Sequence, residues 1–134
     1  MKKILGLCLW AAALCIPVCA RAQGDSFEVF IPIAKYIRQG DAEKLSAWFA
    51  DNLEITLFST VNDCSRNQGR QIMKSFFAAH TPRSFEITHT AGRGNMKHAL
   101  GQLIAGGERL EVTIFVSYKG DGYRIQQLKI VRRE

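Results

Sequence analysis

The stretch RLEVTIFVSYKGDGYRIQQLKIV, residues 109–131, decides the fold because it predicts a long two-stranded β-hairpin. From residue 110 to 118 the side chains alternate in character, and a period of two places one set on each face of a sheet. The segment 119–122, Lys-Gly-Asp-Gly, supplies the turn, since glycine and aspartate tolerate the positive φ of tight reversals. The alternation slips in the returning strand, which predicts a β-bulge near Gln126 and Gln127. We expect the residues upstream to cover one face of this sheet.

Two short amphipathic helices are predicted at the start of the folded part. Residues 27–39 carry an apolar stripe at helical spacing, and Gly40 ends that helix. Asp41 is a good N-cap for a second helix, whose buried stripe is predicted to run through Trp48 and Phe49. Because about one residue separates the two helices, they must fold back on one another or on a common sheet.

The middle of the chain predicts one strand, a turn and a third helix. Residues 53–58 alternate as a strand does, and the polar residues 59–63 are typical of a turn. Ser65 and Gln68 match a capping box, in which each side chain satisfies a free backbone amide of the other residue. The helix that begins there ends before Pro82, because the residue before a proline is pushed out of helical angles.

Strand signals fill the rest of the chain. Residues 84–90 and 96–104 are two further strands separated by a glycine-rich turn at 91–95, and Gly101 predicts a bulge or a bend. The order is therefore helix, helix, strand, helix and four strands. That order predicts an α+β domain, with three amino-proximal helices packed on one face of a curved, mainly antiparallel sheet. Such a sheet can curl around the helices into a cone with a pocket at its wide end.

The first 22 residues predict a secretory signal peptide. Lys2 and Lys3 precede an apolar run over residues 4–18, and Ala20 and Ala22 give the small-x-small pattern of a cleavage site after Ala22. An uncleaved membrane anchor is the alternative, but the apolar run is short for a span of about 20 residues. The leader cysteines fit a lipid-acceptor site poorly. We therefore expect an exported protein, either periplasmic or secreted.

Residues 23–134 are enough for one domain and not for two. The full chain has a formal charge of +6, and loss of the three basic leader residues leaves 15 basic against 12 acidic residues, or +3. This charge is too weak and too scattered to predict nucleic-acid binding. Cys64 is the one cysteine left, so an internal disulfide is excluded. A buried small hydrophobe is the simpler interpretation of Cys64, and an intermolecular disulfide or reactive thiol is the alternative.

Several short motifs occur in a fixed order along residues 23–134. They are Gly40-Asp41, Leu45-Ser46-x-Trp48-Phe49-Ala50, Cys64-Ser65-Arg66-x-Gln68-Gly69, Phe76-Phe77, Ser84-Phe85-x-x-x-His89, Gly101-Gln102-Leu103 and Ile125-Gln126-Gln127-Leu128-Lys129-Ile130. With the order and lengths of the elements, they resemble the nuclear transport factor 2-like (cystatin-like) cone fold of ketosteroid isomerase-like and SnoaL-like proteins. More closely, the chain resembles a domain-of-unknown-function family of small exported bacterial proteins with that fold. The resemblance implies a fold and no assigned activity.

An enzyme of the ketosteroid isomerase type needs a carboxylate base beside a pocket, opposed by donors that hold an oxyanion. The acids on strands are Glu54, Glu86 and Glu111, and the possible donors are Tyr36, Tyr118, Tyr123 and His89. His89 shares a strand parity with Phe85 and Ile87, which predicts that it points inward. His80 fits a partner for a helix C-terminus, and His98 fits an exposed position. The three histidines and Cys64 lack the spacing of a metal site, so neither metal nor cofactor is expected.

These observations favour a non-catalytic exported domain that binds a small apolar or amphipathic ligand, or a protein partner. Aromatic residues are abundant, and no complete catalytic set is recognisable. The residues expected to line the site are His89, Tyr118, Glu111, Trp48 and Phe77. An isomerase- or dehydratase-like enzyme, with a carboxylate and a histidine or tyrosine in the cone pocket, is the alternative.

A third hypothesis is a purely structural homodimer. The outer face of the hairpin sheet mixes apolar and polar side chains, and one such face can pair with a second copy of itself. The residues expected on this face are Thr113, Phe115, Ser117 and Lys129.

Overall fold

A computed structural model describes residues 27–133 of the chain. The predicted signal peptide, its cleavage site and the first residues after it lie outside this range. Within the range no helix is long and apolar enough to cross a membrane. The described elements, in chain order, are α1 (Phe30–Gln39), α2 (Ala42–Ser46), β1 (Phe49–Leu57), β2 (Thr60–Ser65), α3 (Arg66–Ala79), β3 (Pro82–Arg93), β4 (Met96–Ala105), β5 (Glu108–Tyr118) and β6 (Tyr123–Arg132).

The strands form one curved, mixed sheet in the order β2-β1-β6-β5-β4-β3. Four of the five neighbouring pairs are antiparallel, and β1 with β6 is the parallel pair. α1 packs against β3, while α3 packs against β1 and β2. The predicted α+β class is therefore confirmed, with a mixed sheet in which β6 lies between β1 and β5.

The hairpin of β5 and β6 contains the predicted bulge. Phe115 lies opposite Gln127 and Val116 lies opposite Ile125, which leaves Gln126 as the extra residue. An extra residue reverses the side-chain alternation. As a result Ile125 and Leu128 are both fully buried on the face that the helices cover, although three positions separate them.

The junction between α1 and α2 forms as its sequence predicts. Gly40 ends α1 with φ at 68°, a left-handed conformation that glycine adopts without a Cβ clash. The Asp41 carboxylate then accepts a hydrogen bond of 3.0 Å from the backbone N–H of Lys44, which caps α2.

The predicted length of α2 is wrong. Its apolar spacing suggested a helix through Trp48 and Phe49, but α2 ends at Ser46 and Phe49 begins β1. The reason is pairing with the last strand: the Ile125 N–H donates to the Trp48 carbonyl at 2.7 Å. Tertiary strand pairing outweighs a short helical stripe whose own stability is marginal.

β2 is a strand that the sequence does not predict. Four of its six residues are polar, and all but Cys64 are exposed or half-buried, as suits an edge strand that pairs only with β1. Phe58, with φ at 59°, makes the tight reversal before it. The Phe58 N–H donates to the Ile130 carbonyl at 2.7 Å, which ties the turn to β6. The Ser65 and Gln68 capping box that follows is confirmed.

The predicted irregularity at Gly101 lies instead on the neighbouring strand. Gly101 stays in register with Ile87 and Val112, while the register of β3 shifts between Ile87 and His89. Gly101 is needed for space: a Cβ there would lie 2.5 Å from the ring of Phe85. The Phe85 ring therefore packs directly on the backbone of β4.

Candidate functional site

The register shift in β3 decides the position of His89. Ile87 pairs with Gly101, a position on the helix-covered side of the sheet. His89 pairs with Leu100, which lies on the outer face because its neighbour Ala99 is buried on the helix-covered side. One extra residue between them reverses the parity. The prediction that His89 points inward is therefore wrong: its side chain is exposed on the outer face.

The other predicted site residues do not converge with His89. Glu111 lies between the buried Leu110 and Val112, so its carboxylate is on the outer face. Tyr118 is 45% exposed at the end of β5, with its ring 5.2 Å from that of Tyr123.

Phe77 and Trp48 belong to the core instead. Phe77 is buried among the helices, and Trp48 packs half-buried against the same core. Two of the five predicted residues thus lie on the outer face, one at the end of the sheet and two in or against the core, so the five form no common pocket.

The remaining acids and histidines lie apart from one another as well. Glu54 accepts a hydrogen bond of 3.0 Å from the side-chain amide of Gln127. His80 is the C-cap of α3, where its ring stacks on Phe76 at 4.8 Å. His98 is half-buried with its ring 6.3 Å from that of Phe115, not exposed as predicted. Among residues 27–133 no cluster of three or more His, Cys, Asp or Glu could hold a metal ion.

Cys64 fits the simpler of its two interpretations. It is buried, and its thiol donates a long hydrogen bond of 3.7 Å to the Leu53 carbonyl. Burial raises the pKa of the Cys64 thiol, and the neighbouring carboxylate of Asp63 raises it further. Since the thiolate is the reactive form, this environment suppresses nucleophilic chemistry.

The described residues form an apolar groove of about 620 Å³ between α1 and β3. We call it the α1–β3 groove. Its apolar wall consists of Phe27, Phe30, Ile31, Ala34, Phe85 and Ile87, and its polar rim consists of Lys35, Arg38, Gln39, Glu86 and Thr90.

The local sequence explains why this groove stays apolar and open. The buried stripe of α1 faces the core, and Ile31 lies beside that stripe with 68% of its surface exposed. Phe85 does not fill the groove, because its ring packs on the backbone of Gly101, in the space that a side chain at position 101 would occupy. Ile31 and the half-buried Phe27 together expose apolar surface along the groove, and contiguous exposed apolar surface is typical of ligand-binding grooves.

The rim of the groove carries more positive than negative charge. Arg38 donates through Nε to the Phe85 carbonyl at 3.5 Å, a long contact that leaves its two Nη groups for other partners. Within the described part of the chain, none of the residues Lys35, Arg38 and Glu86 is in an ion pair. The rim thus has two cations and one anion.

Lys97 is a buried cation that the sequence analysis does not identify. Only 6% of its surface is exposed, and its ammonium lies 5.2 Å from the Phe27 ring centre and 5.0 Å from that of Tyr123. Lys97 lies an even number of residues from the buried Ala99 and Leu103, and this shared strand parity is the sequence signal that predicts its burial. Lys97 thereby connects the start of the described chain to the hairpin.

A family model described as a domain of unknown function, DUF4783, matches residues 30–131. The chain belongs to this family. The match covers every helix of the described chain and nearly all of its sheet, and it confirms the resemblance to a domain-of-unknown-function family. No curated protein matches the sequence.

Solved structures show the same fold in other DUF4783 proteins. One from Bacteroides uniformis is 18% identical with a TM-score of 0.74, and the match covers 77% of this chain and 95% of that one. One from Bacteroides ovatus is 17% identical with a TM-score of 0.74, covering 78% and 94%. An NTF-2 like protein of unknown function from Silicibacter pomeroyi is 16% identical with a TM-score of 0.60, covering 78% and 90%. At these identities the likeness establishes the nuclear transport factor 2-like fold.

Proposed function

We propose that this DUF4783 chain is an exported, non-catalytic domain that binds a small amphipathic ligand in the α1–β3 groove. The observation that carries the proposal is an apolar groove of about 620 Å³ with an exposed isoleucine and a polar rim. Ligand sites are typically concave, of roughly 300–1,000 Å³, and mostly apolar with a few polar groups that fix orientation.

The position of the predicted acid and donors, outside any pocket between the helices and the sheet, argues against the isomerase- or dehydratase-like alternative. Glu111 and His89 lie on the outer face, and Tyr118 lies at the end of the sheet. General acid–base catalysis needs these groups within hydrogen-bond reach of one substrate. We therefore propose a binding function and do not propose an enzymatic one.

Replacement of one exposed residue tests the binding function. Ile31→Glu places a charge on the apolar wall without touching the buried core, and we expect it to abolish calorimetric binding of decanoate to the purified protein. Val61→Glu is the matched control, because Val61 is 60% exposed on β2 and distant in the sheet from β3. Equal binding by both variants and the unaltered protein would place the ligand elsewhere.

Export is the second part of the proposal. It is supported by the basic start, the apolar run and the small residues around Ala22. Mass spectrometry of the protein from the periplasmic fraction of its host should give Gln23 as the first residue. Recovery of the intact amino terminus in the cytoplasm would contradict export.

We also propose that the outer face mediates self-association. Thr113, Phe115, Ser117 and Lys129 all lie on the side away from the helices, and Thr113 is directly opposite Lys129. Two copies related by a two-fold axis would bury this face symmetrically. Light scattering should give the mass of a dimer, and Thr113→Arg should give the mass of a monomer with an unchanged fold.

A further inference from the structure

The α1–β3 groove is polarised along its length. The residues that α1 contributes follow helical spacing, with positions 30, 34 and 38 in one row and 31 and 35 in the next. The first turns are apolar and the last turn carries Arg38, roughly 12 Å from Phe30 at 1.5 Å per residue. One end of the groove is therefore suited to an apolar chain and the other to a charge.

We propose that the ligand is a free monoanionic amphiphile, a carboxylate with an unbranched apolar chain, whose head group binds Arg38. This inference rests on the proposed function of the groove. The planar guanidinium of Arg38 has its two Nη groups left after the Nε contact to Phe85, and that pair matches the two oxygens of a carboxylate.

The charges of the rim favour one negative charge on the ligand. Lys35 and Arg38 contribute two positive charges and Glu86 one negative charge, so a monoanion neutralises the rim. A dianionic phosphate monoester would leave an excess of negative charge beside Glu86. A cationic amphiphile would meet two like charges.

The dipole of α1 opposes this arrangement but does not outweigh it. An anion beside the last turn of a helix loses affinity by about two- to fivefold, since the helix C-terminus is partially negative. A charge-assisted hydrogen bond contributes about tenfold or more. The net effect at Arg38 is therefore still a preference for the carboxylate.

Calorimetry with three ten-carbon probes tests the head group. Decanoate, decanol and decyltrimethylammonium are titrated as monomers into the purified protein at low salt. We expect decanoate to bind about tenfold more tightly than decanol, and the cation to bind most weakly. Arg38→Gln should weaken decanoate binding about tenfold and leave decanol binding unchanged, while Lys74→Gln, an exposed cation on α3, should change neither.

The outcomes separate this inference from the proposed function. Equal affinities for decanoate and decanol, both abolished by Ile31→Glu, would refute the head-group assignment and support the groove. Absence of binding by all three probes would refute both. Retention of the carboxylate preference in Arg38→Gln, or binding to phosphatidylglycerol vesicles without binding of monomeric decanoate, would also overturn the inference. The unfolding midpoint of Arg38→Gln, expected within the error of the unaltered protein, shows that the fold is intact.

Discussion

Substitution of Gly101 by alanine should destabilise the protein, although Gly-to-Ala changes in strands often stabilise. The added Cβ would lie 2.5 Å and 2.6 Å from two ring atoms of Phe85 and 2.9 Å from the backbone oxygen of Glu86. Real Cβ atoms do not approach this closely, so the ring or the β3 backbone must move. The Phe85 ring can shift only by giving up its buried position, and the Glu86 oxygen belongs to the backbone of β3, which is paired with β4 on both sides of this point.

The size of the effect follows from two opposing terms. Overpacking of a filled core costs about 1–3 kcal/mol, and the contact with a backbone atom places Gly101→Ala toward the upper end. The lower entropy of the unfolded alanine chain offsets about 0.4–1 kcal/mol. We therefore expect a loss of about 2 kcal/mol in the free energy of unfolding.

Urea titration followed by the fluorescence of Trp48 measures this loss. Trp48 is the only tryptophan after residue 22, and the slope of the transition should not change. Phe85→Leu removes the clashing ring atoms, so the double variant should be less destabilised than the sum of the single variants. A neutral or stabilising Gly101→Ala, or strict additivity in the cycle, would refute the packing argument.

Three further predictions concern separate parts of the fold. Lys97→Ala should lower the free energy of unfolding by about 1–2 kcal/mol through loss of the two ring contacts, and Lys97→Met should recover the packing part of that loss, as measured by urea titration. Ser65→Ala should cost about 1 kcal/mol by removing the N-cap of α3, whereas Ser75→Ala on its exposed surface should be close to neutral in the same assay. Because its thiol is buried and its pKa is raised, Cys64 should react with iodoacetamide at pH 8 more slowly than free cysteine does. Mass spectrometry that shows the native protein labelled as fast as free cysteine would contradict this.

Local signals in the sequence predict the parts of the fold that are determined locally. The Gly40 and Asp41 junction and the capping box at Ser65 depend on residues within one turn of a helix. The bulge at Gln126 is visible as a change of parity within a single strand. These features can be predicted without knowing which residues lie against them in the folded protein.

The misses have a common physical cause, which is pairing with another strand, whether that strand follows directly in the sequence or lies far away in it. β2 becomes a strand because β1 offers it a free edge, and Phe49 leaves a helical pattern because it pairs with Ile125. His89 changes face because of a register shift that only the pairing with β4 defines. The α1–β3 groove has no sequence motif, since α1 and β3 lie far apart along the chain.

The parallel pairing of β1 with β6 has a consequence for how the protein matures. Glu54 and Gln127 are 73 positions apart and meet in the interior of the sheet. A nascent polypeptide that lacks residues 123–132 lacks β6, the strand that joins β1 to β5. Without β6, the β2-β1 pair and the β5-β4-β3 strands are not hydrogen-bonded to each other. Closure of such a large loop is slow compared with local helix formation. The complete sheet therefore forms only after the last strand has been synthesised, once β6 inserts between the two halves.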